Sequence, residues 1–238
     1  MRAFAGEGAR VAVHYRSNRR RAEELARTID GIALAADLTD EQETDALVPA
    51  AVESLGRLDV LVANAAVWAP EDRPIWEMSY GRWRNTIATD LDSVFLTCRA
   101  FLRHVAKTGS GNIVMIGSTA GIFGEAGHAD YASAKAGITV GLAKSLKNEI
   151  VRIAPGGRVN VVCPGWTQTE MARDALEDPE FLPRVTRTMA LAKVGRAEDV
   201  ARVVVALASD TISGHVTGEV VTVAGGMEGR VLRELDDR

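Results

Sequence analysis

Asn112-Ile113-Val114-Met115-Ile116-Gly117 is a short unbroken run of mostly aliphatic residues, and Arg158-Val159-Asn160-Val161-Val162-Cys163 is another. Between them Ile138, Leu142, Leu146, Ile150 and Ile153 recur at helical spacing, which places one apolar stripe on a helix beginning near Tyr131. The runs are continuous rather than alternating, the pattern of strands covered on both faces. Strand, helix and strand in that order predict two parallel strands joined by a crossover helix. Outward from this unit the alternation continues, with further apolar runs at 10–14, 32–36, 58–63 and 219–223. The expected architecture is α/β, a doubly wound parallel sheet with helices on both sides, in a single domain covering residues 1–238. Two loops are long for such a fold: 68–79, rich in proline and charge, and 166–196, which has room for short helices of its own.

With 238 residues, 47% apolar and 25% charged, the chain can bury a full core, which excludes a disordered tail or a disulfide-stapled miniprotein. Its 28 basic and 32 acidic residues give a formal charge of −4, so no net positive field draws it to nucleic acid. Cys98 and Cys163 sit in apolar runs, as buried thiols do in a reducing compartment, and a cytoplasmic location is expected. No run reaches the roughly 18 consecutive apolar residues of a membrane span, and 1–7 lacks the apolar centre of a signal peptide. The histidines His14, His104, His128 and His215 are dispersed, without the spacing of a metal hydrolase.

In open α/β sheets ligands bind outside the carboxyl ends of the strands. Residues following the apolar runs there include Asn64-Ala65-Ala66-Val67, Gly117-Ser118-Thr119 and Pro164-Gly165-Trp166-Thr167-Gln168-Thr169. Tyr131 and Lys135 lie four residues apart on the expected helix, hence on one face. A tyrosine with a pKa of about 10 is a poor base at neutral pH, and a nearby ammonium favours its ionised form. Tyr131 is therefore a candidate acid/base, although such a pair also occurs by chance on many helices. Ser118, by itself, reads equally as a turn or capping serine.

Taken together and in this order, Asn64-Ala65-Ala66, Ser118, Tyr131-Ala132-Ser133-Ala134-Lys135, Pro164-Gly165 with Thr169, Val216-Thr217-Gly218-Glu219 and Gly225-Gly226 resemble the short-chain dehydrogenase/reductase family. The resemblance covers the chain to about Gly226 and implies a Rossmann-like fold and hydride transfer between a nicotinamide cofactor and a carbonyl or secondary alcohol. It implies that Tyr131 exchanges a proton with the substrate oxygen and that Ser118 hydrogen-bonds the same oxygen. It gives Lys135 the nicotinamide ribose and the lowering of the Tyr131 pKa. The segment Pro164, Gly165, Thr167 and Thr169 would orient the nicotinamide. Asp37 with Leu38 would contact adenine, and Asn64 with Ala65 would brace the cofactor edge; Asp37 reads equally as a helix cap before Glu41. The resemblance also implies a homo-oligomer, commonly a tetramer, built from the helices around Asp90 and Tyr131 and the C-terminal strand.

Two departures from the family pattern stand out. Asp90 occupies the place of the family's fourth catalytic residue, an asparagine; an ionised carboxylate only accepts hydrogen bonds, where an amide also donates. Asp90 paired structurally with an arginine is an equal alternative. The second departure is that 1–8 reads as the tail of the family's first helix and 9–15 as its second strand, so the first strand and the glycine-rich pyrophosphate turn are missing from the pattern. Loss of that central strand predicts a gap of about two strand spacings of roughly 4.8 Å, with two unpaired ladders facing each other. The simplest expectation is that Met1 is an internal methionine of a longer protein.

After the 10–14 run comes Tyr15-Arg16-Ser17-Asn18 with no carboxylate to hold the adenine ribose. Arg16 and Ser17 suit a 2′-phosphate, so NADP is favoured, with NAD possible. Within the family the chain is most similar to 3-oxoacyl-acyl-carrier-protein reductases and sugar or polyol dehydrogenases. Trp76, Trp166, Met171, Phe181 and Met189 are candidate substrate walls, and Arg184 and Arg187 candidate docking points for an acidic carrier protein. The competing class is a non-catalytic fragment or scaffold subunit of the same fold, favoured by the missing glycines and by Asp90. Retention of Ser118, Tyr131 and Lys135 together counts against it.

Overall fold

The computed structural model describes residues 1–170, 172, 177–187 and 189–227. Six strands carry the layers: β1 (Ala12–Tyr15), β2 (Ile32–Ala35), β3 (Val60–Ala63), β4 (Asn112–Ile116), β5 (Arg158–Pro164) and, after two short strands β6 (Thr167–Gln168) and β7 (Gly195–Arg196), β8 (Val220–Val223). All pairings are parallel, in the orders β1-β2, β3-β4-β5-β8 and β6-β7. The six apolar runs are thus the six strands, within two residues at each end. The pair β6-β7 lies inside the long loop 166–196, whose polar, mixed composition gives no strand period.

Burial on β4 and β5 explains why their sequences are continuous rather than alternating. Ile113, Met115, Val159 and Val161 pack on one side with Phe101, Val105, Ile138 and Ile150. Val114 and Val162 pack on the other with Val204, Leu207 and Ala208. Both faces are covered, so apolar residues run on without alternation, broken only by the buried polar Asn112, Arg158 and Asn160. The apolar stripe from Ile138 to Ile153 starts in the π-helical turn Gly137–Leu142 that follows the helix Ala129–Ala136, runs along the helix Ala143–Ile150 and ends just past it. Helix ends follow local chemistry. Asp40 accepts hydrogen bonds from the Gln42 and Glu43 amides to start the helix Glu41–Leu55, and Gly56, at φ of 80°, stops it.

The expected doubly wound sheet is divided. β1 with β2 and β3 with its partners form separate sheets. The free edges of β1 and β3 line one cavity of about 1400 Å³, which also touches Phe4, Val200 and Val204. The two facing unpaired ladders anticipated from the sequence are therefore present. The two sheets are bridged by the helix Glu41–Leu55, which packs on β2 and on the helix Ser93–Thr108. Among the described residues no helix is long and apolar enough to cross a membrane, and both cysteines are buried and free.

Candidate active site

Ser118 stands just past β4, where the strand leaves the sheet and turns into the short helix Ala120–Phe123. Its hydroxyl accepts from the Ala120 amide at 3.1 Å and lies near enough to the Tyr131 hydroxyl to favour the ionised phenol. Gly117 permits this turn, because a Cβ there would lie 2.6 Å from the Cys163 sulfur and 2.8 Å from the Thr139 hydroxyl. Tyr131 and Lys135 project from one face of the helix Ala129–Ala136. That helix is anchored by the buried Asp130, which accepts from Arg82 Nε at 3.0 Å and from the Thr86 hydroxyl at 2.8 Å. Burial works against the Asp130 carboxylate, but the hydrogen bonds from Arg82 and Thr86 hold its pKa below the ordinary value. Arg82 also donates to the carbonyls of Glu71 and Gly127. Sequence reading passed over this brace, since Arg82 and Asp130 are 48 residues apart.

Lys135 is 2% exposed, and its ammonium donates to the Ile116 carbonyl at 3.2 Å and sits 5.5 Å from the Tyr131 ring centroid. Burial lowers its pKa, opposed by the charge of Asp90. Burial also pushes the Tyr131 phenol up to about 12, with partial relief from nearby Ser118 and further opposition from Asp90. Removal from water penalises the phenolate more than these neighbours stabilise it. At neutral pH this arrangement holds a protonated phenol beside a serine hydroxyl, suited to giving a proton to a carbonyl oxygen.

Asp90 lies in a π-helical turn, Ala88–Asp92, that interrupts the helical run from Tyr80 to Thr108. It is fully buried. One carboxylate oxygen accepts from the Val67 amide at 2.8 Å, while the other has no partner among the described residues. Burial raises its pKa, against the pull of Lys135. The arginine partner considered from the sequence is absent from its hydrogen bonds; its anchor is the segment after β3, and its nearest opposing charge is Lys135.

Leu38, Asn64, Ala65, Ser118, Tyr131, Lys135, Pro164, Gly165, Thr167 and Thr169 all line the cavity that runs up from the gap between β1 and β3. Arg16 and Ser17 are exposed, just past β1 and outside that lining. Asp37 also lies outside it: its carboxylate accepts from the Thr39 amide and hydroxyl, bonds that hold its pKa down with a smaller contribution from Arg16. It is not the helix cap considered from sequence, a role that falls to Asp40 three residues on. Gly165 lets the end of β5 pack closely on Ala224, where a Cβ would lie 2.7 Å from the Ala224 Cβ, and the Lys135 ammonium, which donates to one carbonyl, has further N–H groups that suit the ribose hydroxyls of a dinucleotide.

Of the expected substrate walls, Trp166 lines the cavity and meets Phe181 edge-on at 4.6 Å. Phe181 and Met189 are buried behind it, and Trp76 is 81% exposed elsewhere; Met171 and residues 228–238 lie outside the described residues. The guanidinium of Arg184 lies over the Phe181 ring. Trp68, Phe123 and Glu125 also line the cavity. They were missed because Trp68 and Glu125 sit in loops and Phe123 ends a single-turn helix, Ala120–Phe123, with no period to single them out.

A family model described as enoyl-(acyl carrier protein) reductase matches residues 1–228, and the chain belongs to the short-chain dehydrogenase/reductase family. It is 32% identical to a 3-oxoacyl-(acyl-carrier-protein) reductase of Synechocystis sp. over 232 residues, 94% of this chain and 89% of the relative. It is 34% identical to 3-oxoacyl-(acyl-carrier-protein) reductase FabG of Staphylococcus aureus over 229 residues, 94% and 90% of the two chains. With FabG of Escherichia coli it shares 36% identity over 198 residues, 83% and 78%. The chain is thus an oxidoreductase of the class that works between a nicotinamide cofactor and a carbonyl or alcohol.

Proposed function

We propose that the protein is an NADPH-dependent reductase of a small-molecule carbonyl, acting as a single catalytic domain in a cytoplasmic homo-oligomer. The observation that carries this reading is the convergence of Ser118, Tyr131 and Lys135 on one cavity, with the Lys135 ammonium 5.5 Å from the centre of the Tyr131 ring. NADPH, when bound, supplies the hydride that reduces the carbonyl carbon. Ser118 donates a hydrogen bond to the carbonyl oxygen and holds it at Tyr131. The Tyr131 phenol gives its proton to that oxygen as the C=O bond becomes a C–O–H bond, and the Lys135 ammonium stabilises the tyrosinate until solvent reprotonates it. Lys135 would also hold the nicotinamide ribose, Pro164, Gly165, Thr167 and Thr169 would orient the ring, and Leu38, Asn64 and Ala65 would line the adenine side, with Asp37, beside Leu38 in the chain, outside the lining. Arg16 and Ser17, with no carboxylate beside them at the end of β1, favour the 2′-phosphate of NADP over NAD.

The test is NADPH oxidation by the full chain with acetoacetyl thioester and simple ketones, beside the Tyr131→Phe variant. Removing a general acid costs about 10²–10⁴ in rate, so turnover falls by that factor while the thermal shift given by NADPH persists. A scaffold role is the second reading, favoured by the divided sheet. It predicts a folded protein whose unfolding temperature does not move with saturating NADPH, where a specific site at a hundredfold excess stabilises by about 2.7 kcal/mol.

A further inference from the structure

Resting on the reductase reading, we infer that Glu125 selects substrates carrying a hydroxyl beside the reacting carbonyl, so that the natural substrate is polyhydroxylated rather than a plain acyl chain. Glu125 lines the same cavity as Ser118 and Tyr131. The backbone fixes it there, because the residues on either side of Glu125-Ala126 are Gly124 and Gly127, at φ of 79° and 76°. Gly127 is pinned further by Asp72, whose carboxylate oxygen would lie 2.1 Å from a Cβ at that position. The Glu125 side chain is 26% exposed and lies 3.8 Å from His128 Nδ1; burial raises its pKa, while His128 and the nearby Trp68 indole favour the ionised form. Trp68 in turn stacks on His128, centroids 4.8 Å apart, and meets Trp166 edge-on at 6.1 Å.

The substrate side of the cavity is therefore aromatic, with a carboxylate set among the rings. A carboxylate has about four acceptor sites, so this one has room to accept from a substrate hydroxyl. Aromatic walls suit the C–H face of a polyol while a carboxylate takes its hydroxyls, so the two features together match a neutral, hydroxyl-bearing compound. A fatty acyl chain would leave the carboxylate desolvated and unmatched.

The experiment compares kcat/KM with NADPH for 2-hydroxycyclohexanone, cyclohexanone, 2-aminocyclohexanone and acetoacetyl thioester, for the full chain and for Glu125→Gln and Glu125→Ala, each checked for folding by circular dichroism. A hydrogen bond to a charged group favours the hydroxyketone over cyclohexanone by tenfold or more. That ratio should shrink at least fivefold in Glu125→Ala and less in Glu125→Gln, whose amide oxygen still accepts. A wild-type ratio near one, a ratio that survives Glu125→Ala, or a stronger preference for the aminoketone overturns the inference. Reduction of cyclohexanone or the thioester without such a preference sinks the inference alone; reduction of none of the four sinks the reductase reading as well.

Discussion

Tyr131 shows how a single environment sets a residue's chemical role. Its burial holds the phenol protonated, with a pKa near 12 against about 10 in the unfolded chain. The native state therefore keeps this proton more tightly, and the associated stability is present in full below about pH 10 and lost as pH rises toward 12. By pH 11 wild type should have lost about 1.4 kcal/mol more than Tyr131→Phe, measured by urea unfolding at pH 9 and pH 11. Asp90 adds to the upward push on Tyr131. Asp90→Asn removes that charge, and the pH profile for alcohol oxidation, which needs the phenolate, should move to lower pH; an unmoved profile would show that Asp90 is electrically silent toward Tyr131. Arg16 is exposed beside the end of β1, where its value lies in charge rather than packing. Replacing it with alanine should raise the Michaelis constant for NADPH more than for NADH, and equal effects would refute the 2′-phosphate assignment.

At the scale of elements, buried polar side chains join segments that no periodicity relates. Arg158, 3% exposed at the start of β5, donates to the carbonyls of Leu207 and Ala208 at 2.6 and 3.0 Å and to Asp210 at 2.9 Å. It thereby places a positive charge on the last turn of the helix Ala197–Ala208, where carbonyls lack helical partners. Arg158→Met removes this donor from the Leu207 carbonyl while Asn112 still donates to the Ala208 carbonyl and to Asp210, and should cost about 1–3 kcal/mol, seen as a lower urea midpoint at unchanged slope. The strands and the helix after Tyr131 were legible beforehand because burial on both faces writes itself as unbroken runs such as Ile113 to Ile116. The Arg82–Asp130 brace was not, because a hydrogen bond between positions 48 apart leaves no local pattern.

Across the whole molecule the divided sheet is the governing feature. β1 and β3 each hold one partner strand, whereas β4 and β5 are paired on both sides. Edge amides open at lower free energy than those of central strands. Amide hydrogen exchange should therefore be fastest in β1–β2 and β3 and slowest in β4 and β5. Uniform protection across all of them would mean that the gap between the two sheets is closed in solution.

The main strands, the parallel α/β class, the break at the sheet's centre and the candidate set Ser118, Tyr131 and Lys135 are legible in the chain, because each is written in local runs or short spacings. Folding alone ties Asp37 to Thr39, anchors Asp90 on the Val67 amide, buries the Tyr131 phenol and sets Glu125 in one cavity with Trp68 and Trp166. Those outcomes depend on desolvation and on contacts between distant segments, and neither is a property of any stretch of chain taken alone.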